Sequence, residues 1–206
     1  QGILFLGGSS EDFIESFAEI HISAVLVTNS AAEFQFKNLS SVTTDDTAAA
    51  AAAVGYLADM GHKKIAVIGG EREYSGTGRL RYAGVLRALT ERGITFDADR
   101  YYKTAHYSFD EGYTAMAELL RETSEITAVF AMADVMAIGA ARAVRDAGKR
   151  IPEDISLIGF DGLPICRYYE PRLSTVTQQI AFMAEKSYAV LLDMIENGSG
   201  AQHVLA

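Results

Sequence analysis

The residues best able to act on another molecule stand just after runs of apolar amino acids. Gly159-Phe160-Asp161-Gly162 follows Ile155–Ile158 and sets a carboxylate between glycines. There it suits either the acceptance of two hydroxyl hydrogen bonds, each charge-assisted, or the forming of a turn. Ile65–Ile68 leads through Gly69-Gly70 into a loop carrying Ser75, Thr77, Arg79 and Arg81. Backbone amides in such a loop can meet an anion. The segment has a Gly-x-Gly but neither a dinucleotide fingerprint nor the Lys of a phosphate loop, so a surface loop with two solvated arginines is the plainer reading. Tyr107 follows Tyr101–Thr104 and either offers its ring face to a flat or sugar-like ligand or packs at a helix entry. Asp134 follows Ala128–Phe130 and reads as the cap of the helix beyond it.

Catalytic patterns are poor. His21, His62, His106 and His203 have no metal-ligand spacing to one another, and no Gly-x-Ser-x-Gly elbow occurs. His62, in Gly61-His62-Lys63-Lys64, reads as a turn residue, and Cys166, between Ile165 and Arg167, as packing. The expectation is a binding protein, not an enzyme, with no cofactor.

Elements of two kinds must position these residues. Gly2–Leu6, Ala24–Val27, Ser41–Thr43, Ile65–Ile68, Tyr101–Thr104, Ala128–Phe130, Ile155–Ile158, Thr175-Val176 and His203–Leu205 read as strands. Glu11–Ile20, Thr47–Met60, Arg79–Gly93, a segment from Ser108 to about Arg121, Val135–Ala147 and Ile180–Ile195 read as helices. Ser108-Phe109-Asp110-Glu111 is a capping box. Strand–helix alternation predicts βαβ units and parallel sheets covered on both faces. In such sheets ligands sit beyond the carboxyl ends of the strands, where the residues above lie.

Composition narrows the partners. The 206 residues carry a formal charge of −9 with 49% hydrophobic residues, enough for a sizeable core. Without a dense run of Lys or Arg the chain is not expected to hold DNA by itself. One cysteine excludes an internal disulfide and fits the cytoplasm. No segment approaches the ~18 apolar residues of a membrane helix, so no membrane partner is expected.

The order of motifs resembles the lactose/galactose-repressor family. It is carried by Ser41-Val42-Thr43-Thr44-Asp45, Gly61–Gly70, Arg79-Leu80-Arg81-Tyr82-Ala83-Gly84, Gly112-Tyr113 with Ala115-Met116, and Asp134 with Met136–Ala140. The most specific block is Ile151-Pro152-Glu153-Asp154-Ile155-Ser156-Leu157-Ile158-Gly159-Phe160-Asp161, followed by Leu173–Gln178. The resemblance implies a periplasmic-binding-protein-like type I α/β fold of two lobes. Residues 1–44 would form a partial N-terminal lobe, 45–177 the C-terminal lobe and 178–206 a return segment. Crossings are expected near Thr44–Asp46, Gln178–Ile180 and the C-terminal tail. It further implies that a helix-turn-helix and the start of the N-terminal lobe precede this segment.

By the same resemblance, Arg81 holds effector oxygens, Asp161 is its acidic partner, Tyr107 stacks on the ligand, and Ser75 and Thr77 are polar loop contacts. Asp45, with Thr44, and Gln178 occupy hinge-side positions, and Tyr168 and Tyr169 a homodimer surface. Ala133 departs from the Asn or Ser that many sugar-responsive members carry there. The implied function is effector sensing in a cytoplasmic regulator, with a sugar or sugar phosphate as effector and operator DNA reached only through the missing head. The alternative is an exported sugar-binding protein of an importer, which shares the fold.

Overall fold

A computed structural model describes residues 1–7, 16–72 and 76–206. The chain divides into two compact units. The first holds Gln1–Asp45, Ser75–Thr77 and Gln179–Ala206, and the second Asp46–Tyr74 and Gly78–Gln178.

The first unit has a four-stranded parallel sheet of β1 (Gly2–Leu6), β2 (Ser23–Val27), β3 (Leu39–Thr43) and β9 (His203–Leu205), in the order β1-β2-β3-β9. Alternation along β2 divides its side chains between the two faces. Val25 and Val27 join Val42, Met183, Leu191 and Met194 under the helix Ile180–Glu196. Ala24 and Leu26 join Phe17, Ala31 and Leu39 on the other face. The first half of the helix expected at Glu11–Ile20 lies outside the described residues; Phe17 is buried.

The second unit carries β4 (Ile65–Gly69), β5 (Tyr102–Thr104), β6 (Ala128–Ala131), β7 (Ser156–Asp161) and β8 (Ser174–Thr177). They form a parallel sheet in the order β5-β4-β6-β7-β8. Every residue of β4 and β6 is buried, as expected of parallel strands covered on both faces, which therefore read as continuous apolar runs. Five helices accompany this sheet: α1 (Asp46–Asp59), α2 (Gly76–Glu91), the short α3 (Ala98–Tyr101), α4 (Phe109–Glu122) and α5 (Asp134–Asp146); Ile180–Glu196 in the first unit is α6. The strand expected at Tyr101–Thr104 begins one residue later. Tyr101 ends α3, whose start Asp97 caps by accepting from the amides of Asp99 and Arg100. Ser108 caps α4 through the Glu111 amide, as its motif predicts.

The order β5-β4-β6 reverses the direction of winding between β4 and β6. The carboxyl ends of these two strands are therefore the topological switch point, where open α/β sheets bind ligands.

Candidate functional site

Two strand ends, those of β6 and β7, and the start of α1 converge on Arg81, which is 5% exposed. Arg81 lies on α2, and α2 can approach the first turn of α1 because residue 84 is glycine. A Cβ there would overlap the carbonyl oxygen of Thr47. The Thr47 hydroxyl donates to the Leu80 carbonyl oxygen at 3.1 Å across the same contact. One helical turn before Gly84, Arg81 is thereby set beside Asp46.

Its Nε donates to Asp46 Oδ1 at 2.7 Å, and a terminal nitrogen donates to the carbonyl oxygen of Met132, just past β6. The other terminal nitrogen lies 4.0 Å from Asp161 Oδ1. The guanidinium carbon stands 3.6 Å from the ring centroid of Phe160, so the cation is stacked on a ring as well as paired. The arginine is thus a built-in strut whose remaining edge faces Asp161.

Asp161 ends β7 with φ of 116°, a region that non-glycine residues rarely occupy and that clusters at ligand sites. Gln178 Nε2 donates to its Oδ1 at 2.7 Å, and the Gln178 amide donates to its carbonyl oxygen at 3.2 Å. Burial raises the pKa of the Asp161 carboxyl, against the lowering by Arg81 and Gln178; Asp134 and Asp46 add to the rise. A partly buried carboxylate with acceptor capacity left is well suited to hydroxyl donors.

Asp134 corrects its expected role. The N-cap of α5 is Ala133, and no side-chain cap bond forms there. Asp134 is fully buried, accepts the Leu163 amide at 2.7 Å and the Thr175 hydroxyl at 2.6 Å, and so fixes the loop after Asp161. Gly159 makes this possible, since a Cβ there would overlap the Asp134 carboxylate. The thiol of Cys166, also buried, is pushed up to about 12 by burial and by its hydrogen bond to Asp134; its reading as packing fits this inert environment.

Tyr107 lies past the end of β5 and is 44% exposed, with its ring edge against Gly70 at the end of β4. The Tyr102 hydroxyl donates to the Gly70 carbonyl oxygen, and Arg72 lies 5.3 Å over the Tyr102 ring and 5.7 Å over Tyr82. Sequence reading did not single out Arg72, which follows Gly70 by two positions.

Of the residues expected at a site, the structure brings together Arg81, Asp161 and Gln178, with Tyr107 at the same end of the same sheet. Asp45 and Thr77 belong to the first unit. Asp45 is exposed, and the Thr77 hydroxyl donates to Asn29 Oδ1 at 2.8 Å. Ser75 lies outside the described residues. The acid that grips Arg81 is Asp46, which is not among the residues expected at the site. A signal for it existed: Asp46 opens the Ala-rich helix and falls on its buried face. Tyr168 is 86% exposed. Tyr169 is half-buried against the core, with Arg145 4.9 Å over its ring. Among the described residues no group of three or more His, Cys, Asp or Glu could hold a metal ion, and no helix is long and apolar enough to cross a membrane.

Residues 54–205 match the periplasmic binding protein-like domain family. The chain belongs to that family, in its lactose/galactose-repressor branch. It is 35% identical over 207 residues to the HTH-type transcriptional regulator MalR of Clostridium butyricum, covering all of this chain and 61% of the relative. The chain thus spans about three fifths of that relative's length. Among solved structures, the transcriptional regulator CelR in complex with cellobiose is 27% identical with a TM-score of 0.91, over 99% of this chain and 62% of that one. A LacI-family regulator from Enterococcus faecium with bound ribose is 28% identical with a TM-score of 0.85, over 100% and 75%.

Proposed function

We propose that this chain is the effector-sensing part of a bacterial transcriptional regulator and that its effector is a neutral, polyhydroxylated sugar. The observation that carries the reading is the charge balance around Arg81. The charges of Asp46 and Asp134 both raise the pKa of Asp161, and the guanidinium beside Asp161, that of Arg81, is already bonded to Asp46 and Met132. A phosphate would meet a surplus of carboxylates; sugar hydroxyls would donate to Asp161 and accept from the free edge of Arg81. The phosphate ester considered from sequence is accordingly the weaker candidate.

Tyr107 would contribute an aromatic face for sugar C–H groups, with Ser75, Thr77 and Asp45 as further contacts from the segments the family resemblance implies. The solved relatives named with cellobiose and ribose support a sugar. The regulator names favour this reading over the exported binding protein of an importer. No catalytic step is assigned to the chain.

In the intact protein, operator DNA would be read by a helix-turn-helix outside this segment. A homodimer joined in part through Tyr168 and Tyr169 would space two such heads. The effector would alter DNA binding only by its unequal affinity for the two arrangements of the protein.

The test is a thermal-shift and calorimetric screen of neutral mono- and disaccharides beside their phosphate esters, repeated on Asp161→Asn. A neutral sugar should raise the melting temperature of the parent and lose at least about tenfold in affinity with Asp161→Asn. A phosphate ester that binds where its parent sugar does not would refute the charge argument.

A further inference from the structure

The opposite end of the second unit's sheet holds a cavity of about 410 Å³, within the size range of small-molecule pockets. It opens where the strands begin: Ser156 starts β7, Ser174 starts β8, and Met60 lies just past the end of α1. The residues of the sugar wall, at the other ends of the strands, take no part in it.

We propose that this cavity binds a small aromatic carboxylate. Its lining has an apolar part made of flat or soft groups. Tyr56 and Met60 are 58% and 64% exposed, and the rings of Pro152 and Pro171 face the same space. A planar ring covering them would remove apolar surface from water, and a thioether packs favourably at an aromatic edge.

The polar part carries one charge. Arg172 is the sole ionised side chain of the lining, and no carboxylate lines the space, in a chain whose net charge is −9. Arg172 is exposed and makes no hydrogen bond or ion pair with any described residue. Its planar fork matches a carboxylate with two parallel bonds.

His62 adds no second charge. Its Nδ1 is 2.9 Å from the Thr127 hydroxyl and its Nε2 3.0 Å from the Ser156 hydroxyl, and burial lowers its pKa. It fixes the ring and the Ser156 hydroxyl as a rigid neutral wall. The Ser174 hydroxyl, exposed at the mouth, is placed to donate to a ligand oxygen.

The experiment is a titration of the full chain, labelled with 13C at its methionine methyl groups, with sodium benzoate up to about 10 mM. The Met60 methyl resonance should move in a saturable way, while that of Met132, at the other end of the sheet, stays in place. Arg172→Gln should weaken benzoate about tenfold, with an unchanged melting temperature as the control for folding. Benzyl alcohol should bind the parent no better than benzoate binds the variant. An unmoved Met60 resonance, equal benzoate affinity for parent and Arg172→Gln, or acetate binding as tightly as benzoate would each overturn the proposal. Because Met60 and Met132 report on opposite ends of the sheet, failure here is separable from failure of the sugar reading.

Discussion

The two ends of the five-stranded sheet are built from opposite materials. At the carboxyl ends, a buried arginine is tied to Asp46 and Met132 and faces an Asp161 on unusual backbone. At the amino ends, the charged group of the cavity lining is an exposed arginine beside prolines, a tyrosine and a methionine. The same residue type is therefore structural at one end and available at the other. Burial, not charge, decides how far a substitution disturbs the fold: a buried charge that loses its partner has no water to turn to, while an exposed one does.

The largest effect that contrast predicts comes from Arg81→Ala. If Arg81 holds effector oxygens, as the family resemblance implies, the substitution is expected to remove effector response and leave the fold. The structure changes that expectation, because Asp46 is 2% exposed and would be left without its arginine. The loss should be about 3–5 kcal/mol in urea unfolding; a loss no greater than that of a surface variant would mean that water reaches Asp46.

Next comes Asp161→Asn, the cleaner probe of the sugar wall. Burial raises the folded-state pKa of Asp161. The folded protein therefore holds this proton more tightly than the unfolded chain, and stability from the group falls as pH rises from about 4 through the raised value. Above the raised value the cost is fully present, so Asp161→Asn should melt higher than the parent there. Below about pH 4 that advantage should vanish. A variant that melts lower above the raised value would show that the contacts to Arg81 and Gln178 outweigh burial.

Smaller still, Tyr107→Ala should change unfolding free energy by less than about 0.5 kcal/mol, since the ring is nearly half exposed. Its sugar affinity should fall about three- to tenfold. Calorimetry on the same preparation separates the two. Arg172→Gln marks the lower limit, with no measurable change in melting temperature.

Much of this arrangement is legible in the sequence. Strands of the second unit appear as short apolar runs because both of their faces are covered, and glycine marks the ends of β4 and the turns after α1 and α5. Asp161 and Tyr107 stand out because residues after parallel strands share one end of the sheet; the roles of Arg81 and Gln178 are what the family resemblance implies. Pairing was harder to read. Two aspartates stand side by side at Asp45 and Asp46, and only the helix phase decides which one faces inward. Asp134 looked like a cap because its position allows one; the glycine at 159, far along the chain, made room for it to turn toward β7 instead. The four-residue α3 is too short to show a period, and the cavity at the amino ends draws on segments scattered from Tyr56 to Ser174, with no local pattern to announce them.

The chain contains no tryptophan and a single cysteine, buried, with its thiol held in the protonated form at neutral pH. It is consequently a quiet background for spectroscopy. Tyr107→Trp would create the only indole, sitting where a sugar ring is expected to lie, and its emission would report occupancy directly. A maleimide dye on an added surface cysteine would meet little competition from Cys166.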